Sequence, residues 1–210
     1  MAEVEELINV LTSKARPSPW AAEIRTELIR KSIHLLIALV PTLASLNFGF
    51  TIALLGSGII IYSYAELLRI NGFEVVLLSK ITALAARRRD AGKFVLGPVT
   101  LGLGALLSLT LYPEPAAAIA IYALAFGDGL SSLVGRTFGS IRLPFTGGKS
   151  LEGSMTCFLA VLSSSYALCN DARKAMLIAI VATVIEAMPT KDLDNILLPV
   201  TTGLAAALLL

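Results

Sequence analysis

"TIALLGSGIIIYSYAELL", residues 51–68, decides the fold. Its single charged residue, Glu66, stands near the end. A bilayer-crossing helix needs about 20 mostly apolar residues, and in lipid an open strand leaves backbone polar groups unsatisfied, so the run is read as a helix. Outward from it the same pattern recurs at Ser32–Phe48, Phe94–Tyr112, Pro115–Phe126 (with an extension to Val134 open), Ser154–Cys169, Ala175–Met188 and Ile196–Leu210. Composition agrees. Residues are 56% hydrophobic and 15% charged, with a mean hydropathy of +0.79, whereas soluble domains carry about 25% charged residues. The expectation is an all-α, polytopic integral membrane protein with about seven transmembrane helices.

The net charge of +2 says little, but its distribution orients the chain. With the N-terminus in the cytoplasm and seven spans, all but Arg173 and Lys174 of the 17 Lys and Arg residues fall inside. That asymmetry is what the positive-inside rule demands, and it predicts a cytoplasmic N-terminus. The opening "MAEVEELINVL" is acidic, unlike a secretory leader. Val4, Leu7, Ile8 and Leu11 share one helical face. Residues 1–26 are therefore read as an amphipathic N-terminal helix and linker, and residues 27–210 as a single membrane catalytic domain. A second amphipathic helix, closed by Arg87, Arg88 and Arg89, is expected on the anionic leaflet within Arg69–Lys93. Cys157 and Cys169 have neither metal nor redox spacing and read as packing residues.

Longer connections lie on the predicted cytoplasmic side, and polar clusters gather there. "ELIRKSIH" places Glu27, Arg30, Lys31 and His34 on one helical face. "FGDGLSSLVGRTFG" puts Asp128 directly after an apolar run, where an ionised carboxylate needs water, a cation or a partner; Arg136 follows. "FTGGKSLEGS" holds Gly148, Lys149, Ser150 and Glu152. "IEAMPTKDLDN" holds Glu186, Asp192, Asp194 and Asn195. Gly148-Lys149-Ser150 resembles the end of a P-loop, but that motif needs a glycine where Leu143 stands and a strand where "GSIRLP" runs. A lysine beside glycine amides still suits phosphate. Carboxylates for Mg²⁺ and cations for transferring charge are what phosphoryl transfer requires. Pro98 and Pro199 are expected to break their helices near the site.

At these residues the chain resembles the polyprenol and diacylglycerol kinase family, which includes dolichol kinases, phytol kinases and CTP-dependent diacylglycerol kinases. The resemblance rests on "GDGLSSLVGRTFG…TGGKSLEGS", Glu186, the "DN…P" of Asp194, Asn195 and Pro199, and the "E..RK..H" of Glu27 to His34; it spans Glu27 to Pro199. The related phosphatidate cytidylyltransferases continue with a histidine- and glycine-rich signature, whereas "KDLDN" here runs into "ILLPVTTG", which favours the kinases. The resemblance implies transfer of the γ-phosphate of CTP to a membrane lipid alcohol (polyprenol or dolichol, a phytol-like alcohol, or diacylglycerol), with the active site on the cytoplasmic side of the cell membrane or an internal membrane. The alternative is a phosphatidate cytidylyltransferase. Implied catalytic residues are Asp128, Lys149, Glu152 and Asp194. Nucleotide would be held by Arg136, Gly148, Lys149, Ser150 and Asn195, and Mg²⁺ by Asp128, Glu152, Glu186 and Asp194. Arg136 would touch phosphate or pair with Asp128, and Arg30, Lys31 and His34 would bind or support substrate. The expected partners are lipid alcohol, nucleotide and membrane; no nucleic acid is expected, and no oligomeric state is assigned.

Overall fold

The run "PAAAIAIYALAFGDG", residues 115–129, is apolar on every side until Asp128, as a helix surrounded by other helices must be. In the computed structural model, which describes residues 19–73, 75, 82, 84, 90, 92–190 and 193–210, this run is the centre of an all-helical bundle. In chain order the elements are α1 (Pro19–Leu36), a 3₁₀ turn (Ile37–Leu39), α2 (Val40–Leu46), α3 (Phe48–Ile70), α4 (Gly97–Leu111), α5 (Ala116–Tyr122), a π-helical turn (Ala123–Asp128), α6 (Gly129–Thr137), α7 (Leu151–Cys169), α8 (Ala172–Ala187) and α9 (Asp194–Leu209). Among the described residues there is no strand; Arg142 and Ser150 form an isolated antiparallel bridge. The expected amphipathic segment around Val4–Leu11, most of the basic segment ending at Arg89, and Asp192 lie outside the described residues.

Each of the seven apolar runs falls mainly on helix, although Phe94–Leu96 precede the start of α4 at Gly97 and Asn47 interrupts the first run. Among the described residues, three helices are long and apolar enough to cross a membrane: Ile24–Leu46, Phe48–Ile70 and Ala116–Thr137. Gly97–Leu111 and Asp194–Leu209 are shorter apolar helices. The most apolar stretch of Ala116–Thr137 is 67% buried and that of Phe48–Ile70 only 11%, which makes the first the hub and the second a peripheral helix packed on α4. Ala116, Ile119 and Ala123 of the hub meet Cys157 and Val161 of α7, Ile178 and Ala182 of α8, and Leu198 and Ala206 of α9 in one core. Small side chains dominate it, because helices in lipid gain by close backbone approach rather than by expelling water. Both cysteines are free thiols, and Cys157 is fully buried in that core.

The prolines behave differently from the sequence expectation. Pro98 sits in the first turn of α4, where a missing N–H costs nothing. Pro199 lies inside α9, yet the helix continues to Leu209. Its missing N–H deprives the Asn195 carbonyl, four residues earlier, of a helical donor. That carbonyl faces Gly104 of α4 so closely that an added Cβ would stand 2.0 Å from the oxygen. A methyl group there has nowhere to go but against backbone. Gly104→Ala should therefore separate α4 from α9 and lower stability by about 1–3 kcal/mol, the usual cost of overpacking, read as a lower thermal unfolding midpoint in detergent.

Candidate active site

Asp128 ends the π-helical turn, a helical irregularity often associated with functional sites. Behind it, α1 supplies two nitrogens. Lys31, with no exposed surface, donates to Asp128 Oδ2, and His34 Nε2 lies 3.0 Å from the same oxygen and 2.9 Å from the Leu124 carbonyl. Both nitrogens hold Oδ2. The other oxygen, Oδ1, accepts a hydrogen bond from the Ser132 hydroxyl at 3.3 Å. Asp128 is thus a buried carboxylate fixed on one side by cation and imidazole. Its second oxygen is left to a weakly bonded hydroxyl that lines a cavity of about 880 Å³.

The "TGGK" segment forms another wall. Gly147 and Gly148 take φ of 71° and 98°, a region that side chains disfavour. The turn is closed by Leu143 N to Lys149 O (2.9 Å) and by the Arg142 guanidinium donating to Gly148 O (2.9 Å). Ser150 then caps α7, accepting from Gly153 N at 3.1 Å. A glycine turn feeding a helix N-terminus beside a cavity reproduces the anion-binding physics of a P-loop without its strand. Lys149 crosses to α8, where its Nζ lies 3.1 Å from Glu186 Oε1 and also meets the Glu186 carbonyl. Ser131 and Ser154 donate to the two Glu186 oxygens at 3.3 and 3.4 Å.

Of the residues singled out from sequence, Arg30, Asp128, Arg136, Gly148, Lys149, Ser150, Glu186 and Asp194 all line this one cavity. Four others, Lys31, His34, Glu152 and Asn195, are placed elsewhere or behind it, and Arg136 lines it with a partner other than the one expected. Lys31 and His34 stand behind Asp128. Arg136 does not pair with Asp128; its Nε lies 3.6 Å from Glu27, which Arg30 also holds at 2.5 Å. Asn195 turns to α4, donating to Thr100 Oγ1 at 2.9 Å and more weakly to Gly97 O at 3.3 Å. Glu152 faces the preceding loop, and its Oε1 accepts from the Ser140 amide (2.8 Å), the Ile141 amide (3.2 Å) and the Ser140 hydroxyl. Sequence reading had passed over Ser131, Ser132 and Ser154. Their signal was present: Ser131 and Ser132 follow Asp128 at helical spacings of three and four.

Those hydrogen bonds, the Ser140 hydroxyl first, hold the Glu152 carboxyl down at about 2, against an ordinary 4.5. A lowered value means that ionised Glu152 stabilises the fold fully above pH 4.5 and that this contribution fades as pH falls toward 2. The stability gap between the wild type and Glu152→Gln should accordingly be constant near neutrality and close across that acid window, as thermal melts at stepped pH would record.

Among the described residues, no group of three or more His, Cys, Asp and Glu side chains is placed to hold a metal unaided. The cavity still fits Mg²⁺ in company with phosphates, since that ion keeps waters and takes one or two carboxylates plus phosphate oxygens. Asp128 and Asp194 line the same cavity, and Asp194 is near enough to feel the charge of Asp128.

No family model matches the chain, and no solved structure matches it. Curated relatives do. The chain is 29% identical to "Phytol kinase 1, chloroplastic" of Arabidopsis thaliana over 88% of its own length and 67% of that protein. It is 34% identical to "Probable phytol kinase 1, chloroplastic" of Oryza sativa subsp. japonica over 54% of its length and 42% of that protein. With "Farnesol kinase, chloroplastic" of Arabidopsis thaliana it shares 29% identity over 87% of its length and 66% of the relative. The chain therefore spans from under half to about two thirds of the length of these relatives. The blocks that build the cavity are those that carry the sequence resemblance, and the similarity to phytol kinase and farnesol kinase, which runs along nearly the whole chain, supports its place beside the polyprenol and phytol kinases.

Proposed function

We propose that this protein is a kinase that transfers the γ-phosphate of a nucleoside triphosphate, CTP by the sequence resemblance, to the hydroxyl of a membrane lipid alcohol. One observation carries the reading: three carboxylates, a lysine and three arginines from separate parts of the chain converge on one cavity floored by a glycine turn and a helix N-terminus. The relatives are named for phytol and farnesol, so an isoprenoid alcohol is the first acceptor class to try. We read seven spans with the N-terminus cytoplasmic, which puts this end of the bundle at the cytoplasmic face.

Each residue then has a task. The Gly147–Gly148 turn and the first turn of α7 receive the phosphates, and Lys149 neutralises charge on the transferring group. Arg30, Arg136 and Arg142 surround them with fixed cations. Asp128 Oδ1 and Asp194 would hold Mg²⁺, which supplies charge neutralisation between adjacent phosphates when bound. Lys31 and His34 keep Asp128 from rotating. Asp194, at the N-terminus of α9, accepts the proton as the alcohol oxygen bonds to phosphorus and the nucleoside diphosphate departs. Glu152 and Asn195 act at a distance, the first by fastening the loop before the glycine turn and the second by fastening α9 to α4.

The test is direct. Purified protein in detergent, with Mg²⁺, receives γ-labelled CTP or ATP and a panel of phytol, farnesol, a polyprenol and diacylglycerol. Label should enter an alcohol as a phosphate monoester, with CDP formed when CTP is the donor. Label in none of them ends the kinase reading, and pyrophosphate release with a CDP-lipid product would replace it with cytidylyl transfer.

A further inference from the structure

The connection from α6 to α7 has two faces. Thr146, Gly147, Gly148 and Lys149 face the cavity. The other side carries large apolar groups that are exposed among the described residues: Phe138 is 76% exposed, Ile141 56% and Phe145 97%. Exposed apolar side chains are unremarkable on a lipid-facing span, but these three follow the end of one. The apolar helix Ala116–Thr137 finishes at the residue before Phe138. Phe145 also takes φ of 64°, a conformation uncommon for a bulky residue. The loop around it is held by the Arg142–Ser150 backbone bridge and by the Thr146 side-chain hydroxyl, which donates to Leu143 O at 2.9 Å. An aromatic ring held outward at the end of a span has the chemistry of an interfacial anchor, since aromatic rings sit at the headgroup level.

We infer that the Phe138–Phe145 face of this loop seats in the bilayer surface, so that the glycine turn on its other face is held level with the headgroups, where a lipid hydroxyl emerges. The occupant is the bilayer in which the chain's own spans reside; continuity with the helix ending at Thr137 favours it over a protein partner. The consequence for catalysis rests on the kinase reading, whereas the anchoring itself does not.

Two arms separate them. In a Trp20→Phe background, which removes the single native tryptophan, Phe145→Trp is reconstituted into vesicles of phosphatidylcholine and phosphatidylglycerol. Anchoring predicts blue-shifted emission, quenching by lipids brominated near the carbonyl end of their chains, and shielding from iodide. Red-shifted emission freely quenched by iodide overturns it, and Phe138→Trp repeats the measurement at a second point. In the kinetic arm, Phe145→Ser should raise the KM for a vesicle-embedded long-chain alcohol about tenfold, as expected for losing part of an aromatic's burial, while a short water-soluble alcohol is turned over as before. Equal loss on both alcohols would mean a structural role and overturn the coupling. If the wild-type chain has no kinase activity, the functional reading falls and the fluorescence still decides the anchor.

Discussion

Lys31→Met is expected to cost about 3–5 kcal/mol of stability, the range for removing one partner of a buried ion pair, together with nearly all kinase activity. Lys31 has no solvent contact and Asp128 only 4% exposure, so little water reaches either charge when the other is lost. His34 remains beside Asp128 Oδ2 but would have to take up a proton inside the bundle to compensate. The double variant Lys31→Met/Asp128→Asn removes both charges and should regain most of the stability, because two neutral groups of similar volume no longer need one another. It should stay inactive, since the carboxylate at the cavity is gone. Unfolding in detergent, with activity measured on the same samples, separates the two effects. A Lys31→Met protein as stable as the wild type would show that the pair does not hold the site together, and an active double variant would remove Asp128 from the mechanism.

The second large effect is expected at Lys149. Lys149→Ala should lower kcat by about 10²–10³, the scale of losing one preorganised charge from a transition state. Its effect on folding should stay within about 1–2 kcal/mol. Lys149 is a quarter exposed, and its partner Glu186 keeps the hydroxyls of Ser131 and Ser154. The two lysines thus behave oppositely: one holds the carboxylate in place from within the bundle, and the other reaches into the cavity. Steady-state kinetics with varied nucleotide should show the loss in kcat more than in KM, because the charge to be neutralised grows as the phosphoryl group transfers. A variant with full kcat would exclude Lys149 from the chemistry.

Much of the cavity was legible in the chain because its residues are of types that lipid does not tolerate without cause. Asp128, Lys149, Glu186 and Asp194 stood out against apolar surroundings, and each lines the cavity. Glu152 and Asn195 stood out equally and are turned elsewhere, to the Ser140 amide and to α4. Short-range sequence cannot distinguish them from the others, since helix phase within one turn depends on what the neighbouring helix offers. The pairing of Arg136 with Glu27 rather than Asp128 has the same origin: α1 delivers Lys31 to Asp128 first, and α1 is nearly a hundred residues away in the chain. The serines around Glu186 and Asp128 were overlooked because a hydroxyl in a membrane helix ordinarily satisfies itself on its own backbone.

From sequence alone came the helical class, the location of every apolar run, the one-sided charge distribution and the failure of the P-loop pattern. Each follows from a local rule, since backbone in lipid must bond within its own segment and charge must stay near water. Which carboxylate meets which cation, which helix forms the hub, how α9 runs on through Pro199, and that a glycine turn leading into α7 lines the same cavity as Asp128 were decided only when the helices packed. Those outcomes depend on long-range approach distances, such as that of the Asn195 carbonyl to Gly104, which no local pattern encodes.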